Sequence, residues 1–281
     1  MTTARALQAL PVDGPPAPLG QQQSIEATLR GTHRAQVPIR KTFVQQGRGK
    51  NTTPGPLAEF LTSRDQRGLD AYLLIHALAS AWPWNCNYPS GFWVRALGLA
   101  RGKALSVEAI DQARPAVSKI MKRLVDRKLI SRTRDKRRAS LTLLCEDGSG
   151  HSYQRPFDAD ERWFALPHAY WYQGHYRTLS LAAKVVLLIA LERPDDFPLP
   201  QERAHAWYGI SADSADRGLR ELRNAGLLHV KQTWVEEPKS DIGYTQRWTY
   251  RLLGPYSTDA RNIAAAVAKA NFEGAAKEVN A

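Results

Sequence analysis

The stretch from residue 114 to residue 138 holds the side chains best suited to chemistry with an anion: Arg114, Ser118, Lys119, Lys122, Arg123, Arg132, Arg134, Lys136, Arg137 and Arg138. Guanidinium and ammonium groups pair with phosphate oxygens and with the O6 and N7 edge of guanine, and a serine hydroxyl can meet a base or a phosphate. Val117, Ile120, Met121, Leu124 and Val125 recur at i, i+3, i+4, i+7 and i+8, which is one face of a helix. That spacing leaves Arg114, Ser118, Lys119, Lys122 and Arg123 on the other face, with Ser118 near the expected start of the helix, where free N–H groups favour a phosphate. The other five cations fall within seven residues, where 129–134 and 139–144 read as two strands and Asp135-Lys136-Arg137 as the tip of their hairpin. A solvated charge run is the plainer reading of so many cations. Their place one hairpin beyond an amphipathic helix favours a polyanion instead.

The overall charge has the same focus. The formal net charge is +12. Residues 1–63 contribute +4 and residues 64–150 contribute +8, while 151–255 and 256–281 are each neutral. A basic field concentrated in this way steers a polyanion toward one part of the chain.

No constellation for catalysis or for a cofactor emerges. There is no HExxH, no Gly-x-Ser-x-Gly and no Cys-x-x-Cys. His168 and His175 lie among aromatics without nearby cysteines and read as packed or surface histidines; Asp195-Asp196 and Glu236-Glu237 read as solvated turn residues. Cys86 and Cys145, the only two cysteines, make neither a disulfide framework nor a zinc site and are expected to be buried apolar residues in a reducing compartment. Residues 47–52 lack the spacing of a phosphate-binding loop, and Asn51 rather than Ser or Thr follows Lys50. With no apolar run of about 18 residues and no apolar leader, the expected setting is cytoplasmic and nucleoid-associated, away from any membrane. No cofactor, no metal and no enzymatic activity are expected.

The elements that would position the cationic residues follow from local patterning. Residues 1–63, broken by prolines and carrying Gln21-Gln22-Gln23, read as a mostly disordered basic arm in which Arg40-Lys41 and the 47–50 segment can touch phosphates. Residues 64–146 read as a first domain: a buried helix through Leu69 and Leu78, a short helix capped by Ser90 and stopped by Gly98, a polar stretch 100–112, a third helix opened by Pro115, and the hairpin. Residues 147–178 form an aromatic-rich connector. A second domain, 179–254, repeats the order with a helix capped by Ser180, one opened by Pro200, one capped by Asp213, and a hairpin around Pro238 and Gly243. Residues 255–281 read as an Ala-rich tail helix.

The halves align. Leu124, Met121 and Val117 fall on Leu222, Leu219 and Ala215 at an offset of 98, while Ala96-Leu97-Gly98 falls on Trp207-Tyr208-Gly209 at 111, so the first copy holds 13 extra residues between its second and third helices. The run Ala116 to Leu124 with Leu129-Ile130-Ser131-Arg132, and the run Ala212 to Leu228, resemble winged-helix DNA-binding domains over about 67–145 and 179–253. The resemblance implies a mostly helical α+β fold of two winged helix-turn-helix domains in tandem. Plasmid replication initiators are similar in carrying two such units, as are uncharacterised tandem winged-helix proteins of high-GC bacteria.

The implied function is sequence-specific binding of double-stranded DNA by a transcriptional regulator. The alternatives are a replication initiator of a plasmid or mobile element, and an adaptor that binds protein. The second copy offers Ser214, Arg217 and Arg220 for a further DNA contact, but Asp213 and Asp216 oppose it. A homodimer or another protein partner is the competing use of that copy.

Overall fold

In the computed structural model of the protein, residues 17–32, 34–100, 105–135, 138–156 and 162–279 are described. The fold is α+β, with helices dominating and four small antiparallel sheets.

The arm is folded from residue 21 onward, contrary to the expectation of disorder; residues 1–16 lie outside the described residues. It contains α1 (Gln21–Arg30), β1 (Gln36–Arg40), the short hairpin of β2 (Gln45–Gln46) and β3 (Thr53–Pro54), and α2 (Leu57–Thr62). The reason is burial. Ile25, Leu29, Val37, Ile39, Phe43, Val44, Leu57 and Phe60 all enter the core, and each such side chain stabilises by roughly 1.5–3 kcal/mol, a contribution toward the cost of ordering the backbone that the arm cannot make when left in water. The prolines sit where they cost little. Pro38 lies in a strand with one neighbour, and Pro56 is the N-cap of α2. The polar Gln22 reaches the Trp171 carbonyl at 2.8 Å and accepts from the Tyr176 hydroxyl at 2.9 Å.

The first repeat runs α3 (Gln66–Leu78), β4 (Asn85–Cys86), α4 (Ser90–Ala96), α5 (Val107–Asp126), β5 (Ile130–Asp135) and β6 (Arg138–Leu143), with sheet order β4-β6-β5. Two local expectations are corrected. Pro89, not Ser90, is the N-cap of α4. The third helix starts at Val107, where the Ser106 hydroxyl accepts from the Ala109 N–H, so Pro115 lies inside it. An interior proline costs ~3 kcal/mol. Here it is exposed, and the two turns before it are held by the buried Ile110 against Gly91 of α4.

The connector contributes β7 (Trp163–Pro167), α6 (Ala169–Tyr172) and α7 (His175–Thr178). β7 pairs antiparallel with β1, Ile39 facing Phe164. Tyr153, Phe164, Tyr170, Trp171 and Tyr176 are buried in one core shared by the arm and both repeats.

The second repeat runs α8 (Leu181–Glu192), α9 (Gln201–Tyr208), α10 (Ala212–Asn224), β8 (Leu228–Glu236) and β9 (Tyr244–Leu252). Ser180 caps α8, as expected, but Ser211 rather than Asp213 caps α10. The tail helix is α11 (Thr258–Val279). Among the described residues no helix is long and apolar enough to cross a membrane.

Hydrogen bonds show how closely the repeats correspond. Leu129 N–H donates to Leu124 and Leu227 N–H to Leu222; Leu144 N–H donates to Leu129 and Leu253 N–H to Leu227. Each third helix ends in a left-handed residue, Lys128 or Gly226. Ile130 faces Leu143 and Leu228 faces Leu252; two residues inward, Leu141 meets Cys86 of β4 and Tyr250 meets Phe197. Cys86 and Phe197 are 111 apart, the offset of the helix turns. The extra residues of the first copy are also located: α5 has 20 residues against 13 in α10, and the loop from Gly98 to Ser106 is longer than that from Gly209 to Ser211.

Candidate nucleic-acid interface

The apolar face of α5 packs inward through Ile110, Val117, Ile120, Met121 and Leu124. Its outward face and the β5–β6 hairpin enclose an open cleft of about 790 Å³. Arg114 and Ser118 stand on the helical wall, Arg132 and Arg134 on the hairpin wall, with Val117, Met121 and Leu141 among the apolar lining. Pairing sets the hairpin wall. Arg132 faces Leu141 and Arg134 faces Ala139, so both arginines share the face that carries the core residue Leu141.

The expected site residues separate into groups. Ser118, Lys119, Arg132 and Arg134 are exposed, and among the described residues none of them has a carboxylate partner. Arg114 is exposed but held: its Nε donates to Asp111 at 2.8 Å and its Nη1 to the Ser90 hydroxyl at 3.2 Å. Lys122 pairs with Asp126 at 2.8 Å on the solvent side of α5. Arg123 is claimed by the fold, because Asp65, the N-cap of α3, accepts from its Nε at 2.8 Å and its Nη2 at 2.7 Å. Ser118 lies in the middle of α5 rather than near its start, so the helix N-terminus does not serve it. Lys136 and Arg137 lie outside the described residues, and of Arg138 only the backbone, in β6, is described.

Residues that pattern reading passed over anchor the site. Asp65 is nearly covered. Burial alone would raise its pKa, but hydrogen bonds from Arg123, Arg127 and the Gly68 N–H outweigh that and hold it at about 2. Arg127 joins the same carboxylate at 2.7 Å and lies over the Phe60 ring. An acid at an N-cap followed by two arginines one turn apart was the available signal, but 58 residues separate them.

The second repeat carries the corresponding cleft, smaller at about 350 Å³, between α10 and the β8–β9 hairpin. By the offset of 98 Asp216 stands where the first copy has Ser118, and by the pairing of the hairpin strands Trp248 stands where it has Ala139 and Tyr250 where it has Leu141. The two rings narrow the cleft, and the carboxylate lowers its positive charge. Arg217 pairs with Asp213 at 3.1 Å, and Arg220 pairs with Asp216. Ser214, expected to be available to DNA, is buried; its N–H and hydroxyl are engaged with the Ser211 cap.

Among the described residues no group of three or more His, Cys, Asp or Glu is placed to hold a metal. His168 is buried, and desolvation followed by the charge of Arg34 pushes it down to about 4. His175 bonds the Tyr256 hydroxyl at 2.7 Å. Cys86 is buried and its thiol is pushed up to about 12 by that burial, whereas Cys145 is less covered than expected. Comparison of the chain with family models, curated proteins and solved structures gives no match.

Proposed function

We propose that both repeats are winged helices and that the first binds duplex DNA with sequence preference, so that the protein acts as a transcriptional regulator. The α5 helix enters the major groove, about 12 Å wide and able to admit one helix, and the β5–β6 wing follows the flanking backbone. One observation carries the reading. Ser118, Arg132 and Arg134 line a single cleft whose only acidic lining residue among the described residues, Asp111, is already taken up by Arg114. Ser118 and Lys119 serve as groove-facing residues, and Arg132 and Arg134 contact phosphates. The second winged helix is assigned to holding the first in position, because its own cleft is narrowed by rings, Asp216 stands in that cleft, and Arg217 and Arg220 are paired with acids.

The test is selection of bound fragments from a random duplex pool, with the full chain and with the K119A/R132A/R134A variant. The wild type is expected to enrich one motif, and the variant to lose that enrichment while keeping its melting transition. A wild type that retains no duplex overturns DNA binding in favour of a protein adaptor. A variant that enriches as before overturns the assigned face. A single palindrome supports a regulator, and iterated motifs replace that role with replication initiation.

A further inference from the structure

A second basic surface, sharing no lining residue with the α5 cleft, is built around the β2–β3 hairpin of the arm. Gly47 (φ 73°) and Gly49 (φ 60°) make its tight turn, and a Cβ at Gly47 would come within 2.1 Å of the Asn51 carbonyl. Arg48 and Lys50 stand exposed on that turn. It is not a swinging loop. Gln46 donates to the Asp147 carbonyl at 2.8 Å, Gln45 reaches the Trp207 carbonyl, and β3 packs on α9, where Pro54 closes over Gly209.

Two clefts flank the turn and meet at Gln45. One, of about 380 Å³, is lined by Arg40, Lys41, Thr42, Arg48, Arg162 and Glu192. The other, of about 660 Å³, is lined by Lys50, Thr52, Arg193, Arg203 and Trp207 among others. Arg40 is taken up by Glu146 and Lys41 by Glu192, the only acid in either lining among the described residues. Arg48, Lys50, Arg162, Arg193 and Arg203 form no ion pair among the described residues. Arg193 is half-buried and meets the buried Tyr208 hydroxyl, whereas Arg48, Lys50, Arg162 and Arg203 are exposed.

We propose that this surface holds the phosphate backbone of duplex DNA as a second, sequence-independent contact; the proposal rests on the DNA-binding reading above. The cations are divided between two clefts on either side of a turn, drawn from the arm, the connector and the second repeat. A single phosphate group needs donors converging on one point, whereas a row of phosphates fits a divided array. Of these cations only Arg203 stands on an α-helix, α9, so they do not form one helical face for a groove, and the contact adds affinity and not base preference.

The experiment uses the full-length R48A/K50A/R203A variant, with K50E as a milder second variant, and measures duplex affinity against salt on the selected motif and on random duplex. Each phosphate contact contributes ~0.9 to the slope of log affinity against log salt, so the triple variant is expected to lose up to ~3 from that slope. The ratio of motif to random affinity is expected to stay unchanged. A slope equal to that of the wild type in both variants overturns this contact and leaves the α5 reading standing. A wild type without duplex binding removes both. Thermal stabilisation of the wild type by inorganic phosphate, lost in the variant while its DNA slope is unchanged, assigns the clefts to a small phosphorylated ligand and overturns the proposal. A motif ratio that falls together with the slope rejects the claim of sequence independence.

Discussion

Arg123 grips Asp65 through two hydrogen bonds, and so ties the last turns of α5 to the N-cap of α3. The second repeat makes a corresponding tie with an acid on the third helix and a neutral N-cap on the first. Glu221, 98 positions on from Arg123, accepts from the backbone N–H of Ser180, the N-cap of α8, at 2.7 Å and also bonds its hydroxyl. Both links clamp the third helix to the start of the first. In the first repeat this clamp removes from the set proposed to face DNA a cation whose sequence position marks it as available.

Arg123→Ala is therefore expected to act on stability and not on DNA. Arg127 still holds Asp65, so the loss is expected to be about 1–3 kcal/mol by urea unfolding, with the salt dependence of DNA retention unchanged. A lower salt slope at full stability would return Arg123 to the interface.

The same carboxylate sets an acid limit. Asp65 sits near 2 when folded, below its unfolded value, so its stabilising effect is complete above the unfolded pKa and disappears as pH falls through the folded one. Between pH 4 and pH 2 the wild type is expected to lose about 2 kcal/mol that Asp65→Asn does not lose. Parallel acid-unfolding curves for the two proteins would contradict this assignment.

Lys184 and Asp70 join α8 to α3 by a buried ion pair at 2.6 Å. Burial pushes the Asp70 carboxyl up and the Lys184 ammonium down, while their mutual attraction opposes both shifts. Lys184→Met strands the carboxylate, with an expected cost of ~3–5 kcal/mol. The double change Asp70→Asn with Lys184→Met is expected to cost less than Lys184→Met alone. Simple additivity of the two single losses in a double-mutant cycle would show that the pair is not coupled.

The end of the third helix offers a gain. Lys128 holds φ 56° where the other repeat uses Gly226 at φ 71°. A side chain in that region costs roughly 1–2 kcal/mol, part of which glycine returns through unfolded-chain entropy. Lys128→Gly is expected to raise stability by ~0.5–1 kcal/mol, and Gly226→Ala to lower it by ~1 kcal/mol, in thermal melts. Gly209→Ala is expected to cost more than Gly226→Ala, because its Cβ would lie 2.7 Å from that of Ala58, whereas nothing stands within 4 Å of Gly226. Equal losses at the two glycines would rule out the contact with Ala58.

Local periodicity and chain punctuation were enough to reveal the repeat: the apolar face of α5, the turns at Gly98 and Gly209, both hairpins and the 13-residue surplus follow from hydrogen bonds and side-chain spacings that span only a few residues. What escaped depends on partners distant in the chain. The arm looks disordered in isolation because Ile39 finds Phe164 and Gln22 finds Tyr176 only once the connector folds back. Pro115 looks like a helix start until Ser106 caps the helix and Ile110 meets Gly91. Arg123 looks free until Asp65 arrives, and the second cleft looks open until Trp248 and Tyr250 line it. A segment's own pattern states which face it would bury; which of its charges remain available to a ligand is settled by long-range packing, because an ion pair or a filled cleft forms only when remote segments are brought into contact.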